Sequence, residues 1–357
     1  MTVAHRGWMG RPVAAPLLLL LPAVLPFPTA PTVVSGRHPN GILEVRLLAP
    51  FQPADPQQLC CLERTFASSR DASAIILITS GADARANTPT PPPPMEEHDL
   101  RRLASRERAL HAFLREAASR IPVISVGDGW HHSASATGLF MAAPTRVCTD
   151  RTVLSLPECR GGLLPASGTL AYFRRCLLPH LHMYVALTGA PLNPHDCFSL
   201  RLATSYVRAA DVVWLLDELR HAPAEYLDLA LSRRARTPHE SLASLCAGDV
   251  QGLLDASLLK VFSVDSASEV VSALQAERGQ LSDMLSSCGW HTRERAEAVA
   301  DVLDTAASAL RRAPSEAIAE TFAAVQKSQD SRLSDDAAWE LELQAQCRLA
   351  SRRPTGK

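Results

Sequence analysis

The sequence predicts an α/β fold in which strands and helices alternate through the first 208 residues and helices alone follow. Three observations predict it. Apolar runs of strand length, ILEVRLL (42–48), SAIILITSG (73–81) and IPVISVGDG (121–129), are separated by stretches with helical periodicity. Beyond Ala209 every segment carries a helical pattern. The 357 residues are 46% apolar and 20% charged, enough to bury a sizeable core.

Taken in order, residues 1–39 read as a leader, 40–208 as the α/β core and 209–357 as a helical region. The leader holds Arg6, Arg11 and Arg37 around the apolar segment VAAPLLLLLPAVLPF, and the first acidic residue is Glu44. It reads as a signal peptide, a mitochondrial presequence or an extension ahead of the true start. Pro16, Pro22, Pro26 and Pro28 interrupt the apolar run, so a membrane-spanning helix, which needs about 20 apolar residues, is not expected.

ILEVRLL predicts a strand, QQLCCLERTFASS (57–69) a short helix and SAIILITSG a buried parallel strand ending in a turn. ADARANTPTPPPPM (82–95), with its prolines at 89 and 91–94, cannot supply ladder or helix hydrogen bonds and reads as an exposed loop. The following segment spaces Leu100, Leu103, Leu110, Phe113 and Leu114 as one face of a long helix. IPVISVGDG is a second buried strand, SASATGLFMAA (133–143) a helix packed tightly at its start, and TRVCTDRTVLSLP (145–157) a strand or strand pair. Leu170–Val207 reads as helical, apart from a turn at 189–191 and a short strand at 203–207. The helical region contains ADVVWLLDELRHA, TRERAEAVADVLDTAASALRR, a helix starting behind Pro314, and DDAAWELELQAQCRLAS.

Thirty-six basic residues face 37 acidic ones, a formal net charge of -1, so no global field recommends nucleic acid or an anionic membrane, and RNA contact would be local. Nine scattered cysteines without a CxxC pattern argue against a disulfide framework or a zinc site. His131–His132 and His180/His182 lack a carboxylate or cysteine at ligand spacing, so no metal is expected. No GxSxG, P-loop, GxGxxG or HExxH motif is present. Two stretches remain. GDGWHHSASATG (127–138) joins a strand to a helix whose first N–H groups could hold an oxyanion or a phosphate, or simply make a tight connection. In LPECRGGLLPASG (156–168), Glu158 stands among apolar residues as a candidate general acid, base or nucleophile, against the alternative of a solvated strand-end carboxylate.

These residues resemble the crotonase (enoyl-CoA hydratase/isomerase) superfamily, in its 3-hydroxyisobutyryl-CoA hydrolase branch, through IPVISVGDG, ASATGL, LPE, LLPASG and ALTG (186–189). The resemblance implies stacked ββα units with a helical C-terminal region. It also implies a CoA thioester as substrate, held by two backbone N–H groups without a metal or other cofactor. The family glutamate falls on Glu158. The aspartate eight residues later falls on Ala166, and the middle glycine of the oxyanion segment GGG falls on Ser135. A loop of the type FCAGGD, carrying the other donor, is replaced by the proline-rich stretch. A glutamate of the preceding helix falls near Ala109, with Glu107 close by but facing differently. An EGxRA segment is not matched after Arg348.

The resemblance therefore implies one of two roles. One is a catalytically impaired mitochondrial protein docked mainly on other proteins, as in the small subunit of the mitochondrial ribosome. The other is an active hydrolase using Glu158 and the Ser135 N–H.

Overall fold

The computed structural model describes residues 33–48, 56–80, 96–239, 245, 248–287 and 290–352. The apolar leader segment and the stretch 82–95 lie outside them. Strand β1 (Val33–Arg37) runs antiparallel to β2 (Ile42–Leu47) as an edge strand, although its five residues fall within the 1–39 stretch read as leader. Helix α1 (Pro56–Ala67) buries Leu59, Leu62 and Phe66, three or four apart. Then follow β3 (Ala74–Ser80), the long α2 (Glu97–Ala118), β4 (Val123–Asp128), the two-residue β5 (Trp130–His131), α3 (Ala134–Met141), β6 (Thr145–Cys148) and β7 (Val153–Leu154). A 3-10 turn at Pro157–Gly161 leads to α4 (Thr169–Cys176), α5 (Pro179–Thr188), α6 (Pro194–Ser199) and β8 (Ser205–Tyr206).

The main sheet has the order β1-β2-β3-β4-β6-β8, parallel after its first strand, while β5 and β7 form a separate parallel pair. Two units, β4–β5–α3 and β6–β7 with the helix α4 that follows, send one strand to each sheet and close with a helix, the ββα arrangement expected, whereas β1 and β2 both lie in the main sheet. The remaining helices are α7 (Val212–His221), α8 (Leu227–Arg234), α9 (Gly248–Phe262), α10 (Ala267–Ser287), α11 (Trp290–Arg312), α12 (Ser315–Ser328) and α13 (Asp335–Arg352). Among the described residues, no helix is long and apolar enough to cross a membrane.

The continuous apolar run of β3 is explained by burial on both faces. Ile75 and Leu77 point into the larger core with Leu59, Leu62, Leu110 and Leu114. Ala74, Ile76 and Ile78 point the other way, onto Leu215, Leu219, Leu227 and Leu231 of α7 and α8. The α7–α8 pair therefore covers one side of the sheet, and α3 and α4 belong to the other.

Glu44 of β2 fastens α7 to the sheet. Its carboxylate accepts from Arg220 Nε at 2.6 Å and Arg46 Nε at 2.5 Å. Burial pushes its pKa up, but the two guanidiniums overrule that and hold it at about 2. A folded pKa below the unfolded value of 4.5 gives stability that is present above pH 4.5 and lost as pH falls through about 2. Glu44→Gln is expected to flatten that part of the acid limb in urea titrations between pH 4.5 and 2. An unchanged acid limb would contradict this account.

Candidate active site

The site forms where β5 and the start of α3 meet the turn after β7. Ser133 caps α3, its Oγ accepting from Ala136 N at 3.2 Å. Gly138 lets this helix approach the following loop: a Cβ there would lie 2.2 Å from the Ser167 carbonyl oxygen. Gly189, at φ +60°, ends α5 against the neighbouring turn, where a Cβ would meet the Pro157 Cα at 2.8 Å. The ALTG glycine thereby presses the LPE stretch into place.

Glu158 is carried on the 3-10 turn behind Pro157. Its Oε1 accepts from the Ala134 N–H at 2.5 Å, and its Oε2 is buried without a hydrogen-bond partner. Burial pushes the carboxyl up to about 7, against the pull of the Ala134 N–H. Glu158 is thus no solvated strand-end carboxylate: it stands at the N-terminus of α3, held by burial well above the usual carboxylate range.

Ser135, next along the helix, has a first-turn N–H with no intrahelical acceptor. Its Oγ lies 2.8 Å from Ser167 Oγ. Ala166 precedes Ser167 in the loop and supplies only a methyl group, with its carbonyl accepting from Thr169 N. Ser167 itself is held at φ +58°, a left-handed conformation costly for a residue with a side chain.

Glu107 corrects the sequence reading. The sequence reads it as facing differently from the family position near Ala109, yet it is buried on α2 and its Oε2 accepts from Ser167 Oγ at 2.8 Å, whereas Ala109 is exposed. Spacing explains this: Glu107 is four residues from Leu103 and three from Leu110, hence on the inward stripe. Burial raises its pKa, partly offset by Ser135 and Ser167.

A third carboxyl, Glu342 of α13, belongs to no motif the sequence offers. Its oxygens accept from Gly168 N and Leu170 N, both at 2.7 Å, and burial pushes it up to about 8, with Glu107 adding to the shift. The available signal was its place on the stripe Trp339, Glu342, Ala345, Leu349, of which all four are buried. His111, one turn beyond Glu107, lies with Nδ1 3.0 Å from the Tyr172 hydroxyl and edge-on to Trp339.

The paired histidines have other partners. His131 Nε2 lies 2.5 Å from Thr79 Oγ1, His132 Nδ1 2.5 Å from Ser155 Oγ, His180 Nε2 2.6 Å from Asp255 Oδ1 and His182 Nδ1 2.9 Å from Gln329 Nε2. Among the described residues, no group of three or more His, Cys, Asp or Glu side chains is placed to hold a metal ion.

Chemically, the site sets an acid/base-capable carboxyl and a polar chain, Glu107–Ser167–Ser135, on two flanks of one helix N-terminus. A model of the enoyl-CoA hydratase/isomerase family matches residues 80–352. The chain belongs to the enoyl-CoA hydratase/isomerase family. Within it, the chain is 27% identical over 179 residues to "3-hydroxyisobutyryl-CoA hydrolase-like protein 1, mitochondrial" of Arabidopsis thaliana, covering 49% of this chain and 41% of that protein. It is 29% identical over 168 residues to small ribosomal subunit protein mS47 of the same plant, covering 44% and 37%. It is 22% identical over 179 residues to mS47 of Neurospora crassa, covering 48% and 33%. The matches span less than half the length of these relatives. Among solved structures, a carnitinyl-CoA dehydratase from Mycobacterium thermoresistibile superposes with a TM-score of 0.66 at 18% identity, over 89% of this chain and 86% of that one. An enoyl-CoA hydratase from Rhodobacter sphaeroides does so at 0.63 and 17%, over 89% and 85%. These superpositions show the crotonase fold.

Proposed function

We propose that this crotonase-fold protein is a mitochondrial member of the 3-hydroxyisobutyryl-CoA hydrolase branch that has kept the scaffold, has lost efficient catalysis, and serves as a structural subunit of the small ribosomal subunit. The observation that carries the reading is the state of α3's N-terminus. An oxyanion hole works by aiming free N–H donors at developing negative charge. Here Glu158 already occupies the Ala134 N–H, beside the Ser135 N–H that the family would use. The second carboxylate position is Ala166, and Glu107 is tied to Ser167. The loop expected to carry the other donor is replaced in the sequence by the proline-rich stretch 82–95, and proline has no N–H to offer. Loss of one oxyanion donor typically costs about 10²–10³ in rate, and loss of a carboxylate compounds it. The names of the relatives support both halves of the reading, hydrolase-like and ribosomal.

One observation favours the other reading, an active hydrolase that takes a CoA thioester and needs no further cofactor. Glu158, at about 7 with an unpartnered Oε2, has the titration range of a general acid or base. The test is thioesterase turnover of 3-hydroxyisobutyryl-CoA by the purified protein and by Glu158→Ala. The expected result is turnover indistinguishable between the two and at the background rate, together with co-sedimentation of the protein with mitochondrial small ribosomal subunits. Turnover abolished by Glu158→Ala would sink the structural reading.

A further inference from the structure

On the side of the sheet away from Glu158, the turn before α7, the α7 helix and the end of α8 enclose a cleft of about 380 Å³ lined by Arg208, Asp211, Glu218, Arg233, Arg234 and Arg236. Four guanidiniums face two carboxylates in a chain whose net charge is -1, so the cation excess is local. The carboxylates orient the arginines without saturating them. Arg208 Nε donates to Asp211 at 2.8 Å, while Arg233 Nη1 and Arg234 Nε share Glu218 at 3.2 and 3.1 Å. Asp211 is held below the ordinary carboxylate range by Arg208, with Arg234 and Arg236 adding to the field. Arg236 donates to the carbonyls of Arg233 and Ala235, and its backbone N–H is pinned to Tyr206 O at the sheet edge. The nearby Asp150 is engaged by the Ala209 N–H.

A second feature adjoins the first. Asp211, at the N-cap of α7, and Trp214 and Glu218 within it are three and four residues apart, on one face. That spacing sets Trp214 between the two cleft carboxylates along the helix, and it is 62% exposed. A large exposed indole beside planar, anchored guanidinium forks matches phosphodiester oxygens and an unpaired base together. A peptide of Asp and Glu alone would satisfy the guanidiniums but leave the indole without a stacking partner.

We propose that this cleft binds single-stranded RNA, with Arg208, Arg233 and Arg236 on the phosphates and Trp214 stacked on a base. The site goes beyond the ribosomal reading and does not depend on it. A chain that binds RNA through the cleft yet fails to co-sediment with ribosomal subunits would refute that reading and leave this assignment intact.

The test is fluorescence anisotropy of a labelled 12-nucleotide single-stranded RNA with the full chain across a salt series. Trp214→Ala is expected to weaken binding about tenfold, the range of one base–aromatic stack. Arg208→Ala with Arg236→Ala is expected to weaken it at least as much. That pair should also lower the slope of log K against log salt by about 1.4, since each phosphate contact on a single strand contributes about 0.7. Arg332→Ala, an exposed arginine elsewhere, is expected to change nothing. All four residues are exposed, and circular dichroism checks that each variant folds. Three results would overturn the proposal: no RNA binding by the parent chain, RNA binding unmoved by both cleft variants, or an Asp/Glu-rich peptide or CoA itself bound more tightly than RNA at the same residues.

Discussion

Replacing Gly138 with alanine is expected to destabilise the protein by about 2 kcal/mol, although alanine is the better helix former. A Cβ at 138 would sit 2.2 Å from the Ser167 carbonyl oxygen, and its other near neighbours are the His111 ring and the Ser167 Cβ, both at 3.2 Å. The clash is with backbone, in a loop already held at positive φ by Ser167, so no side-chain rotation relieves it. Overpacking of this kind costs about 3 kcal/mol, and the gain from replacing a helical glycine returns about 1 kcal/mol. The shift would also separate Ser135 from Ser167. Urea denaturation checks the sign: an alanine variant as stable as the parent would mean that α3 and the loop can part at no cost.

Glu342→Ala is expected to cost about 2–5 kcal/mol, because the Gly168 and Leu170 N–H donors lose their acceptors in a buried place, at about 1–3 kcal/mol each. Relief of the buried carboxyl's own desolvation offsets part of this. Glu342→Gln, which keeps one acceptor oxygen, is expected to cost less and to change the pH dependence. The folded pKa of Glu342, about 8, lies above the unfolded 4.5, so its contribution is fully present below pH 4.5 and is lost as pH rises through about 8. Glu158, at about 7, acts in the same direction. The buried His111 and His182 (both about 3) and His131 (about 4) act oppositely: their contribution is present above the unfolded 6.5 and lost as pH falls towards those values. Above pH 6.5 the glutamates therefore stand alone, and stability is expected to decline from there to about pH 8. The Glu342→Gln replacement should flatten that decline in thermal melts, and an identical slope in parent and variant would refute the assignment.

Where local pattern and burial agree, the structure follows the sequence closely. The unbroken apolar run of β3 needed helices on both faces, and α1, α2, α7 and α8 supply them. The small residues at 133–143 needed close packing, and the Ser167 carbonyl supplies it. Departures arose where a polar residue sits on an apolar stripe. Glu107 and Ala109 are two residues apart along the chain but lie on different faces of α2, because helical rotation and not chain proximity sets the face. Strand β1, VVSGR, adjoins a proline-rich leader and carries little pattern of its own. Its pairing with β2 is a backbone interaction that side-chain pattern does not announce.

By itself the sequence determined the alternation of strands and helices from β2 onward and the family resemblance, through which Glu158 and Ala166 fall on the family's carboxylate positions, since these depend on residue type and order along the chain. Only the tertiary structure decided what those residues can touch. It seated Glu158 on the Ala134 N–H, brought Glu107 and Glu342 to the loop at 166–170 across about 60 and 170 residues of chain, and gathered four arginines into one cleft. The reason is physical: hydrogen bonds and desolvation act over a few ångströms of space, and sequence separation does not report that distance.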